Sequence, residues 1–155
     1  MASPGEGRPT GGELSVADGR PTGGELSVAI SNGMVQLLRQ YTGRGPTKAR
    51  TTVGRDHVLI MIQDALTRGE RTLVEAGYSD DVLRTRRRFQ EVMRPEATSM
   101  IEELTGRSVV GFMSDNHANP DLGVEVFILE PDDRPSALEE GESTDEGYGV
   151  QSPVS

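Results

Sequence analysis

The sequence contains no cysteine and no tryptophan, only two histidines (His57 and His117), and aromatics make up 4% of it. Without cysteine there are no disulfide scaffolds, thiolate nucleophiles, cysteine-based zinc sites or iron–sulfur clusters. Two histidines exclude a multi-histidine metal site within one chain, so no metal and no cofactor is expected. No apolar run approaches the roughly 18 residues of a membrane span, so direct insertion into a bilayer is not expected. The first residues lack a basic stretch followed by an apolar one, so a signal peptide is not expected and the chain reads as cytoplasmic. Excess positive charge is missing too. Sixteen basic against 25 acidic residues leave −9, which argues against a nucleic-acid partner.

The charge is unevenly spread. Residues 1–29 carry 2 basic and 4 acidic groups, 30–130 carry 13 and 14, and 131–155 carry 1 and 7. The central stretch is therefore close to neutral. Ahead of it stands a tandem copy: GRPTGGELSVA occurs at 7–17 and again at 19–29, with Asp18 between. Two such units, each with three glycines and a proline, are too few and too polar to build a solenoid. Residues 1–25 read as a disordered leader, 26–130 as one α+β domain, and 131–155 as a disordered acidic tail.

Within the domain, Ser27 can cap a helix running through Gln40 with Ile30, Met34, Leu37, Leu38 and Tyr41 on one face, stopped by Gly43. Gly33, inside it, lowers helix propensity and could permit close packing. Residues 50–53 and 57–63 form a hairpin, and Val58–Ile62 is apolar on both faces, as in a strand covered on both sides. Thr67 and Glu70 fit a capping box before a short helix ended by Gly77. A longer helix opens at Ser79 with Val82, Phe89, Met93, Met100 and Leu104 on one side. Pro95 should kink or divide it, and Gly106 ends it. Strands at 108–114 and 123–130 follow, joined by an Asx-rich loop over 115–122.

The resulting order is α-ββ-αα-ββ, a four-stranded antiparallel sheet with helices packed on one face. Its halves look alike, since LLRQYTGR (37–44) and MIEELTGR (100–107) each end a helix before a hairpin. A duplication explains this, and so does Thr-Gly-Arg as a simple helix stop.

Three groups of residues could carry chemistry. Arg44, Lys48 and Arg50, in a glycine-containing loop, could bind an anion or an acidic partner, although no Walker A spacing is present. Arg86 lies 40° from Val82 at 100° per residue, inside the apolar stripe. It needs an ion-pair partner such as Glu70 or Glu75, or an interface. Asp115, Asn116 and His117, with Asp121 nearby, stand at a strand end where a turn satisfying its own backbone is the plain expectation. No nucleophile–base pair emerges, so no enzymatic activity is expected.

The stretches YTGRGPTKARTT (41–52), LTRGERTLVEAG (66–77), RRRFQEVM (86–93) and ELTGRSVVGFMSDNHANPDLGVEVFILE (103–130) resemble the bacterial MpsC-like domain, named for the C component of a sodium-translocating, membrane-potential-generating system. The resemblance covers about 26–130. It implies a non-enzymatic accessory or regulatory module that meets membrane transport subunits through protein–protein contacts, peripheral at the membrane through a partner. Low aromatic content in a small core favours a homo-oligomer, a dimer first, through a sheet edge or the Phe89 helix. The alternative is a small-anion or nucleotide sensor using the Arg44–Arg50 loop. RNA binding ranks third, and an enzyme below it.

Overall fold

The computed structural model of the protein describes Val16–Ala17 and residues 19–132. The expectations of a disordered leader and acidic tail fall largely outside those residues. A two-stranded ribbon, β1 (Val16–Ala17) and β2 (Arg20–Pro21), leads into α1 (Gly23–Thr42). This helix starts a turn before Ser27. Thr22, with extended backbone, is the N-cap and makes no side-chain capping bond, while Glu25 complements the helix dipole. The extra turn brings Leu26 against the core. Ile30, Met34, Leu37 and Leu38 are buried as their spacing predicts, and Gly43 ends the helix in the left-handed region (φ 83°).

Strands β3 (Lys48–Val53) and β4 (His57–Gln63) form the first hairpin. In α2 (Arg68–Glu75), the Glu70 N–H donates to Thr67 Oγ1 at 3.2 Å. The reciprocal half of the capping box is absent, because the Glu70 carboxylate accepts from the Arg86 guanidinium instead. A charge-assisted bond of that kind is stronger than one from a neutral backbone N–H.

Pro95 does not divide the long helix: α3 runs unbroken over Ser79–Thr105. Pro95 lies on its exposed side, where solvent can take the carbonyl that a proline leaves without a donor. The buried seam of α3 is Val82, Arg86, Gln90, Met93, Ala97 and Ile101. Phe89, expected on it, is only half-buried at its flank. Gly33 has the packing role its position suggested, since a Cβ there would overlap Met100 Sδ where α1 meets α3.

The second hairpin comprises β5 (Val109–His117) and β6 (Leu122–Leu129). The loop expected over 115–122 shrinks to a turn at 118–121, because Asp115, Asn116 and His117 continue the ladder against Val124, Gly123 and Leu122. The sheet order is β3-β4-β6-β5, antiparallel throughout. Each hairpin follows a long helix and contributes its second strand to the centre, so two α-β-β units stand in a two-fold arrangement. Their helix ends match in detail: Thr42 and Thr105 each donate to the carbonyl four residues back at 2.7 Å, and both following glycines have positive φ.

Alternation divides the sheet. Val58, Ile60, Ile62, Phe127 and Leu129 join Ile30, Met34, Met93, Ala97 and Ile101 in the core. The other face carries Leu59, Met61, Leu122, Val124, Val126 and Ile128, none of them in that cluster. The expectation that β4 is covered on both sides is therefore corrected. Among the described residues only one face is covered, because α1 and α3 pack on the same side.

Candidate functional site

The sequence candidates separate into two regions. The first is the 64–66 loop after β4, held by three guanidiniums. Arg44 Nη1 donates to the carbonyls of Asp64 (2.5 Å) and Leu66 (3.1 Å), and its Nη2 pairs with the Asp64 carboxylate at 3.0 Å. Arg86, 3% exposed, donates through Nη2 to the Ala65 carbonyl and through Nε to Glu70 at 2.8 Å. Glu70, rather than Glu75, is thus its partner. Arg71 pairs with Asp64, and the Asp121 carboxylate accepts the Leu66 N–H at 2.9 Å. Three successive carbonyls are therefore held by guanidiniums, and Asp64 is fixed at φ 57°. Arg44 and Arg86 converge on one loop as ties of the fold, each holding main-chain carbonyl oxygen and one carboxylate. Arg107, the counterpart of Arg44, likewise binds the carbonyls of Arg55 and Glu130.

Lys48 and Arg50 lie elsewhere, on the outward side of edge strand β3. They border a groove of about 710 Å³ that reaches round to Ser31, Asn32 and Val35 of α1. Asp115 and His117 lie on the same open face at the opposite edge, β5, with His117 Nδ1 donating to the Pro120 carbonyl at 2.8 Å. Asn116 points to the helix side, where a Cβ at Gly123 would lie 3.2 Å from its Oδ1. The register aligns the remaining candidates across the sheet. Arg50 stands opposite Met61, Met61 opposite Val124, and Val124 opposite Asp115. The next row is Lys48, Gln63, Leu122 and His117.

Two features escaped the sequence reading. Glu125 is 1% exposed under α3, with Gln90 Nε2 donating to its Oε1 at 3.3 Å. Burial pushes its carboxyl up to about 7, against the smaller opposing effects of the Ser114 hydroxyl and the Gln90 amide. Among the described residues its Oε2 has no hydrogen-bond partner, and a cavity of about 10 Å³, about the least room one water needs, adjoins it. A lone acid in GVEVFIL (123–129) was the available signal. The second feature is the open apolar face, whose Met61 (37% exposed) and Met113 (56%) flank Val124 and Val126. A shallow hollow of about 200 Å³ lies there, lined by Met61, Leu122 and Val124 with Asp115 and His117.

Among the described residues no group of three or more histidine and acidic side chains is placed to hold a metal ion. No described helix is long and apolar enough to cross a membrane. No curated protein and no solved structure matches the chain. Residues 22–131, which span both α-β-β units and every candidate above, do match one described family, and on that match the chain belongs to the family of the Na+-translocating membrane potential-generating system, MpsC.

Proposed function

We propose that this protein is a non-enzymatic accessory or regulatory module of a membrane ion-transport system, working through protein–protein contacts that depend on its open sheet face. The family supplies the link to a sodium-translocating membrane system. The observation that carries the mode of action is the sheet itself. A contiguous apolar surface bordered by charged residues is characteristic of interaction sites. Here Leu59, Met61, Val124 and Val126 are bordered by Lys48 and Arg50 on one edge and Asp115 on the other. No step in this reading requires the chain to enter the bilayer. It is held at the membrane by what it binds.

Affinity isolation of the tagged full-length chain from detergent-solubilised native membranes tests the proposal. Transport subunits should be recovered with it, and Val126→Glu should abolish their recovery while leaving the melting temperature within a few degrees. Recovery of the protein free of any transport subunit would refute the accessory role.

A further inference from the structure

We infer that the open face of the sheet is occupied by a second copy of this chain, the two sheets stacked about a two-fold axis parallel to β4 and β6. The inference rests on the reading above in taking this face as an interaction surface; with a second copy covering it, transport subunits are met by the dimer through its other surfaces.

The central strands are the first argument. In β4, Val58, Ile60 and Ile62 face the helices, while Leu59 and Met61 face the other way. In β6, Phe127 and Leu129 face inward, and Val124, Val126 and Ile128 outward. Strands apolar on both faces are those of sheets covered on both faces. The described residues supply one cover, and a second sheet of the same composition supplies the other.

Charge decides the geometry. Both unpaired cations of the face, Lys48 and Arg50, sit on edge strand β3, and Asp115 sits on the opposite edge, β5. Among the described residues neither cation has an ion pair, and Asp115 accepts only the neighbouring Asn116 N–H. A two-fold running across the strands would lay β3 on β3, cation against cation. A two-fold along the strands lays β3 of one copy over β5 of the other and keeps each residue at its own level. Arg50 and Asp115 share one level through Met61 and Val124. Arg50 therefore meets Asp115 of the second copy, twice per dimer, with Met61 and Val124 packed between. Stacked sheets lie roughly 10 Å apart, a gap that an arginine and an aspartate together bridge. His117 comes opposite Lys48 in the adjoining row.

Sedimentation equilibrium of the full-length chain tests this together with charge exchange. The chain should form dimers. Arg50→Asp or Asp115→Arg alone should weaken dimerisation roughly tenfold or more, because each makes both cross-dimer pairs repulsive. Arg50→Asp combined with Asp115→Arg should restore near-original affinity. Val126→Glu, on the open face and outside the core, should give a folded monomer with unchanged helical circular dichroism. A monomer at millimolar concentration overturns the inference, as does a dimer indifferent to both single reversals or a double variant no tighter than the singles. The readouts separate from the function test. A dimer that recovers no transport subunit keeps this inference and removes the accessory role, and a monomer that still recovers one does the reverse.

Discussion

Glu125 sits in the core between Val124 and Val126 of one strand and beneath Gln90 of α3, and its environment has a measurable consequence. Its carboxyl has an ordinary value of 4.5 and rises to about 7 in the fold. The folded state therefore binds this proton more tightly than the unfolded state. Its favourable contribution is complete below about pH 4.5 and is lost as pH rises through 7, by about 3 kcal/mol over that interval. Urea unfolding of the full chain at pH 5 and pH 8 should show that fall, and Glu125→Gln should flatten it and be the more stable protein at pH 8. A wild-type and variant with the same pH dependence would disprove the assignment. Residue by residue, legibility depended on what the partner was. The need of Arg86 for a partner was readable, because the helical angle put a charge among apolar neighbours, and the choice between Glu70 and Glu75 fell to the structure. The partners of Arg44 were not readable, because main-chain carbonyls at 64 and 66 leave no mark in the sequence.

At the level of elements, α3 holds a proline near its middle without interruption. Pro95 is exposed, so the missing N–H costs a hydrogen bond without also unpacking a core residue. Pro95→Ala should restore the bond to Glu91 and stabilise the protein by about 1–3 kcal/mol, less than a buried helix break would return. Thermal unfolding of the variant checks this, and an unchanged or lower melting temperature would contradict it. Periodicity located nearly every element, because buried faces repeat at 3.6 or 2 residues whatever the partner. It misplaced ends. The 115–117 segment has the composition of a turn, yet pairing with β6 overrides that preference. Ser27 has a capping side chain, yet burial of Leu26 carries the helix a turn further.

For the whole molecule, the family match and the fold delimit the same unit, with α1 starting one residue after the match begins and β6 ending two residues before it closes. Residues 19–132 carry 14 basic and 16 acidic groups, a net −2 against −9 for the full chain. A chain of 19–132 alone should melt within a few degrees of the full-length protein, and a loss of cooperative melting would show that the remainder contributes to the fold. The charge distribution was readable from the sequence. Which side of β4 lies open was not, because that depends on both long helices choosing the same face, a fact of three-dimensional connection rather than of any residue pattern.

The two ends of the described domain meet at one pole. Arg20 abuts Gly106, Arg107 binds the Glu130 carbonyl, and the Glu130 N–H donates to Ser108. The arginine-held 64–66 loop lies at the far ends of the same strands, beside Gln63 and Asp121. An axis parallel to the strands never exchanges these poles. A dimer built on it is a directional body, with all four ends of the described domains at one pole and both arginine-held loops presented together at the other. Such a body has two unlike poles, where a dimer with its axis across the strands would have two alike.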